Sequence, residues 1–231
     1  FDIYADLGVD RISFGVQDFD AEVQKKINRI QPYELIESLM INQIKKKFVG
    51  VNFDLLYGLP KQTRDTFKKT VELTKKLSPE RITLIKYSHI PNKRKHMKMI
   101  KEEDLPNIRD LPYMFTEATN SFIQDGYTWV GIDHFAKQDD ELAVAKRKGN
   151  VYRNFGGETP GFTKDMIGLG PTTTSGFGKH YFQATYDLHE YRDKLQKGIF
   201  PISKNYVLSD DDVIRRECNF QLQCNQMLDI K

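Results

Sequence analysis

An α/β fold with parallel strands is what this sequence predicts, and three observations predict it. Short stretches in which apolar residues alternate with small or polar ones give way to longer stretches with helical spacing, and this order recurs from Arg11 to His134. Glycine and proline fall at the joins rather than inside the elements. At 231 residues, with 39% apolar and 29% charged side chains, the chain has ample material for a buried core.

Taken in order, Ile12, Phe14 and Val16 alternate with Ser13, Gly15 and Gln17 in a first strand, followed by helical patterns from about Ala21 to Ile30 and from Tyr33 to about Lys47. Strand Val49 to Tyr57 precedes helix Arg64 to Leu77, and strand Arg81 to Ile90 precedes a helix from about Asp104 to Gln124. Tyr127 to His134 reads as a fourth strand, so that parallel βαβ units are expected throughout. Gly58-Leu59-Pro60 closes the second strand, Ser78-Pro79 breaks one helix and Asp125-Gly126 ends another. From Lys137 to Gly178 the periodicity fades into a polar, glycine-rich stretch that reads as a long loop. Tyr181 to about Gly198 reads as a strand or irregular segment and then a helix, and Ser209 caps a further helix with the acidic first turn Asp210-Asp211-Asp212. The expected organisation is one α/β domain over residues 1–178 and the start of a mostly helical domain over 179–231. Phe1 is not an initiator methionine and Lys231 follows directly on a helical pattern, so the chain reads as cut at both ends.

A net charge of +3, from 35 basic against 32 acidic residues, argues against a nucleic-acid partner and is compatible with a small anionic substrate. No apolar run approaches the roughly 20 residues of a membrane helix. Cys218 and Cys224 are too few for a disulfide framework and wrongly spaced for zinc or iron–sulfur ligation; they read as structural thiols in a reducing, cytoplasmic setting.

Parallel strands are ordinarily buried on both faces, and sites in such folds gather at the strands' C-terminal ends. The first strand ends at Gln17-Asp18, the second carries Asn52 and Asp54 on one face, the third ends Lys86-Tyr87-Ser88-His89 and the fourth ends Asp133-His134. Any one of these could simply cap a helix; together they favour a site. His89, Asp133 and His134 lack the spacing of a zinc site, Lys93-Arg94-Lys95-His96 reads as a solvated connection, and Gly168-Leu169-Gly170 reads as a tight turn. Strand-borne Lys86 leaves open an unrelated barrel enzyme using a Schiff base.

Longer motifs narrow these alternatives. Arg11-Ile12-Ser13-Phe14-Gly15-Val16-Gln17-Asp18-Phe19, Asn28-Arg29 and Asn52-Phe53-Asp54-Leu55-Leu56-Tyr57-Gly58-Leu59-Pro60 resemble the radical S-adenosylmethionine (SAM) enzymes of the coproporphyrinogen oxidase group, motifs also found in related heme chaperones. Gly131-Ile132-Asp133-His134-Phe135-Ala136, Asp139-Asp140-Glu141-Leu142-Ala143-Val144-Ala145 and Tyr152-Arg153-Asn154-Phe155 resemble the oxidases specifically. The likeness runs from about Leu7 to Gly176, and more loosely through Asp211 to Arg216.

This resemblance implies the second half of a partial (β/α)6 barrel. It also implies a 4Fe–4S cluster on a Cys-x3-Cys-x2-Cys loop, which cleaves SAM to methionine and a 5′-deoxyadenosyl radical. The radical abstracts hydrogen from a propionate of coproporphyrinogen III, and loss of carbon dioxide and an electron leaves a vinyl group; two rounds give protoporphyrinogen IX. An electron donor such as a flavodoxin or ferredoxin is implied. Gln17, Arg29 and Asp54 match SAM-contacting positions, with Ser88 and Thr174 at two more. Asp54 suits ribose hydroxyls, Arg29 a carboxylate, and Gln17 both donation and acceptance. Lys146, Arg147 and Arg153 are candidates for pairing with propionates. The cluster cysteines are expected upstream of Phe1, so this polypeptide alone is expected to be inactive. A heme-binding chaperone and a noncatalytic paralogue are the alternatives.

Overall fold

The computed structural model describes residues 1–161 and 165–228. Two compact units result, Phe1–Trp129 with Asp133–Asp140, and Val130–Ile132 with Glu141–Lys231.

The first unit contains α1 (Asp2–Asp6), β1 (Arg11–Gln17), α2 (Ala21–Lys26), α3 (Tyr33–Leu39), β2 (Gly50–Tyr57), α4 (Arg64–Leu77), β3 (Arg81–Lys86), α5 (Asp110–Gln124), β4 (Tyr127–Val130) and β5 (His134–Lys137). The sheet order is β1-β2-β3-β5-β4. The first three strands are parallel, with Ser13 opposite Asn52, Gly15 opposite Asp54, and Asp54 opposite Thr83. On one face Val51, Phe53, Leu55, Ile82 and Leu84 are buried in a core shared with Ile36, Met40, Phe67, Val71, Met114 and Phe122 from the helices. Each such side chain contributes about 2 kcal/mol of apolar burial. The other face is polar: Ser13 is exposed and Asn52 and Asp54 are half-buried, which corrects the expectation of strands buried on both faces.

The helix boundaries follow local chemistry. Asp20 caps α2 by accepting from the Glu22 and Val23 amides. Thr63 and Thr66 form a capping box at the start of α4, and left-handed Ser78 ends it just before Pro79. The helix expected from Asp104 starts only at Asp110, because Glu102–Asp104 forms a 3₁₀ turn that stops ahead of Pro106.

The fourth expected parallel strand is instead a reversal. Gly131, at φ +61°, turns the chain, and β5 runs antiparallel to β3 with His134 opposite Thr83 and Ala136 opposite Arg81. Asp133 and His134 therefore open β5 rather than ending a parallel strand. The Asp133 carbonyl accepts from the Leu84 amide at 2.7 Å.

In the second unit lie α6 (Glu141–Arg147), β6 (Val151–Asn154), β7 (Gly157–Pro160), β8 (Thr174–Phe177), β9 (His180–Ala184), α7 (Leu188–Gln196), β10 (Ile202–Val207) and α8 (Asp210–Phe220). Strands β6 and β7 form a hairpin, and β10-β9-β8 form an antiparallel sheet. The stretch from Lys137 to Gly178 is thus not a single long loop. Its elements are mostly four residues long, too short to establish a hydrophobic period. Residues 162–164 of it, and the end of the helical pattern at 229–231, lie outside the described residues. Ser209 caps α8 through a capping box with Asp212, as expected. Among the described residues, no helix is long and apolar enough to cross a membrane.

Candidate functional site

The parallel register builds a polar ladder across the open face of the first unit. Asn52 Nδ2 donates to Asp54 Oδ1 at 2.8 Å and to Ser13 Oγ at 3.0 Å, while Ser13 Oγ donates to Asp54 Oδ2 at 3.1 Å. Thr83 Oγ1 donates to Asn52 Oδ1 at 3.2 Å. Asp54 is thereby held in one orientation by two strands while remaining half-buried and open to a ligand.

Gly15, the register partner of Asp54, explains why a residue without a side chain stands at this point. A Cβ there would lie 2.5 Å from Gln17 Nε2 and 3.1 Å from Arg29 Nη2. The amide of Gln17 and the guanidinium of Arg29 thus both overhang the Gly15 backbone, next to Asp54. Gln17 itself is left-handed, at φ +67°, where the β1–β2 register shifts. That conformation costs a residue with a Cβ about 1–2 kcal/mol, and such strain persists only where surrounding contacts enforce it.

The enforcing contacts are buried and polar. Asp18, fully buried, accepts from the Asp20 amide at 2.6 Å, Gln62 Nε2 at 2.6 Å and Thr70 Oγ1 at 2.8 Å. Burial pushes the Asp18 carboxyl above its ordinary range, and the three donors oppose that shift. Gln62 accepts from the amides of Gly58 and Leu59, tying in the turn after β2. Arg29 follows left-handed Asn28, and its Nε donates to Gln31 Oε1 at 3.0 Å. Nearby, Asp104 pairs with Lys26 at 2.5 Å and Lys61 at 2.6 Å, and these two ammonium groups hold its carboxyl down to about 2.

Of the five positions matched to SAM contacts, Gln17, Arg29 and Asp54 come together here. Ser88 lies two residues beyond β3 and is exposed; among the described residues no hydrogen bond links it to the other three. Thr174 is on β8, in the second unit, opposite Gln183. Sequence reading missed Asp18's partners Gln62 and Thr70, and also Gln24. Nothing in a lone buried glutamine or threonine marks it in a sequence, although Asp18 beside Gln17 was a visible strand-end pair.

Asp133 Oδ1 lies 2.8 Å from His134 Nδ1, and the Tyr87 hydroxyl 3.2 Å from His89 Nδ1. Lys93, Arg94, Lys95 and His96 are exposed, and Gly170 turns at φ +115° with its amide on the Tyr191 hydroxyl. In the second unit, Lys146 donates to the Cys224 carbonyl at 3.0 Å, Arg147 is exposed, and Arg153 pairs with Glu158. Arg153 also lines a cavity of about 400 Å³ together with Tyr152, Phe155, Tyr181, Arg216 and Phe220. Cys224 is buried and Cys218 half-buried, and burial pushes the Cys224 thiol up to about 11. Two such thiols in and just after α8 do not make the three-thiolate set of a radical-SAM cluster.

Comparison with known proteins adds the family context. A family model described as the radical SAM superfamily matches residues 1–74. Oxygen-independent coproporphyrinogen III oxidase from Helicobacter pylori is 42% identical over 97% of this chain and 49% of its own length. The protein of the same name from Escherichia coli is 38% identical over 96% of this chain and 49% of its own. For that from Thermostichus vulcanus the figures are 37%, 96% and 69%. The chain spans about half the length of the first two of these relatives. Among solved structures, the Escherichia coli coproporphyrinogen III oxidase, described as a radical SAM enzyme, superposes with a TM-score of 0.90 at 37% identity, covering 99% of this chain and 52% of that one.

Proposed function

The chain belongs to the family of oxygen-independent coproporphyrinogen III oxidases within the radical SAM superfamily, and on that premise we propose that its first unit supplies part of the SAM site of such an enzyme. The observation that carries the reading is the meeting of Gln17 and Arg29 over Gly15, beside Asp54. In this reading Arg29 pairs with the methionyl carboxylate, Asp54 accepts from the ribose hydroxyls, and Gln17 bridges donor and acceptor groups of the ligand. Ser88 and Thr174 are carried as two further contact positions by the motif likeness alone. The parallel strands form the second half of a partial (β/α)6 barrel with the polar ladder on its inner face. We assign the barrel part to residues up to Asp140, because the expected break after residue 178 would part β8 from β9, which pair in one sheet of the second unit.

Reductive cleavage of SAM at a 4Fe–4S cluster is the family's source of the radical that starts oxidative decarboxylation of two propionates of coproporphyrinogen III, giving protoporphyrinogen IX. Cys218 and Cys224 do not fit that cluster, so we assign its ligands to residues outside these 231; a flavodoxin- or ferredoxin-type donor is the electron source this reading implies. What this chain's own residues do is bind and orient SAM. The reading places the enzyme in the cytoplasm and makes residues 1–231 inactive alone; protoporphyrinogen formation by that polypeptide would overturn the last point.

The direct test is calorimetric titration of SAM into the intact protein. Arg29→Gln and Asp54→Asn should each weaken binding at least tenfold. Unchanged affinity in both variants would sink the assignment.

A further inference from the structure

We propose that Asp18 and Gln24 are positioning residues, which set the mutual geometry of Gln17 and Arg29 without touching the ligand; this rests on the reading of that pair as SAM contacts. Both are almost fully buried, at 0% and 3% exposure. Gln24 Nε2 donates to the Asp18 carbonyl at 2.9 Å and to the Gln31 carbonyl at 2.8 Å, and Gln24 Oε1 accepts from the Gln31 amide at 2.9 Å. One side-chain amide therefore joins the backbone just after Gln17 to the residue whose side chain receives Arg29 Nε. The Arg29 amide in turn donates to the Gln24 carbonyl at 2.8 Å, so the arginine is referenced to the same residue through main chain and side chain alike.

Asp18 fixes the other end. Gln62 Oε1 is taken by two backbone amides, which leaves its Nε2 to donate. Thr70 Oγ1 accepts from the Phe19 amide, which leaves its hydroxyl hydrogen for Asp18. Every partner of the Asp18 side chain is thus a donor, and an ionised carboxylate is the group that satisfies them all. An asparagine would turn a donor of its own toward one of them. Helix capping does not account for Asp18, since Asp20 performs it. Left-handed Gln17 sits directly between these restraints and bare Gly15, so release of either end lets its amide swing away from Arg29.

The experiment uses the intact protein in four variants, Asp18→Asn, Gln24→Met, Arg29→Gln and, as a stability control in the core of α5, Phe122→Leu. SAM affinity, KM for SAM, kcat and the unfolding midpoint are measured together, below every midpoint. We expect Asp18→Asn and Gln24→Met to lose at least tenfold in SAM affinity and to raise KM for SAM by more than they lower kcat. Phe122→Leu should keep wild-type affinity at a comparably lowered midpoint. Normal SAM binding by the Asp18 and Gln24 variants, with Arg29→Gln impaired, would overturn the positioning role alone. Equal loss of affinity in Phe122→Leu would also overturn it, by reducing the effect to stability. Normal binding by Arg29→Gln would remove the SAM reading, and this inference with it.

Discussion

Replacing Thr70 by valine exchanges one buried hydroxyl for a methyl of nearly the same size, so the packing of α4 is kept and only hydrogen bonds change. Two are lost: Thr70 Oγ1 donating to the Asp18 carboxylate at 2.8 Å, and the Phe19 amide donating to Thr70 Oγ1 at 3.1 Å. A hydrogen bond to a charged group is worth about 1.5–3 kcal/mol, and a stranded buried amide costs about 1–3 kcal/mol. The expected loss is about 3 kcal/mol, which for a protein of this size lowers the unfolding midpoint by about 6–12 °C. Thr74, one turn on and equally buried, provides the comparison. Its hydroxyl donates only to the Thr70 carbonyl within the same helix, at 2.8 Å, so Thr74→Val should cost about 1 kcal/mol or less. The protein's single tryptophan, Trp129, stacks on Phe135 in the first unit, and its fluorescence reports thermal unfolding there. Midpoints for the two variants within about 2 °C of each other would refute the hub as a stabilising element.

Other outcomes follow from neighbouring features. Gly15→Ala should leave the unfolding midpoint unchanged or slightly higher, because the chain loses unfolded-state freedom, yet weaken calorimetric SAM binding at least tenfold, since the new methyl displaces Gln17 and Arg29. Thiol titration at pH 8 should modify Cys218 well before Cys224, whose thiol burial pushes up to about 11, and both should react alike in denaturant. Lys26 and Lys61 hold Asp104 at about 2, below its unfolded value, so their contribution is complete above about pH 5 and lost as the pH falls toward 2. The urea midpoint of Asp104→Asn should therefore trail wild type most at pH 6, by roughly half as much at pH 3, and converge on it only below about pH 2; a constant gap would contradict the ion triad.

The parallel part of the fold was legible because Ile12-Phe14-Val16 and Val51-Phe53-Leu55 alternate cleanly with polar or small residues, and that alternation in turn foretold the side on which Asn52 and Asp54 stand. The β4–β5 reversal was missed because one run, Tyr127 to His134, reads as a strand unless Gly131 is given its turn-forming weight. Strand β10 escaped for a different reason. All six of its residues are exposed, so no buried face imposes alternation on Ile202-Ser203-Lys204-Asn205-Tyr206-Val207. Within the candidate site, Gln17, Arg29 and Asp54 stand out through motif likeness, whereas Gln24, Gln62 and Thr70 act through side-chain hydrogen bonds across more than forty residues of sequence or inside a tight loop, which no local pattern encodes.

Gln17 carries a consequence for how substitutions would be selected. At φ +67° a glycine would relax the backbone, and asparagine would be tolerated better than most residues. A library screened only for yield of folded protein should therefore drift toward glycine at this position, whereas a library screened for the proposed SAM binding should retain glutamine. The two fitness landscapes part at a residue that makes little contribution to the core, and the sign of the change at position 17 would tell an observer which pressure the population had experienced.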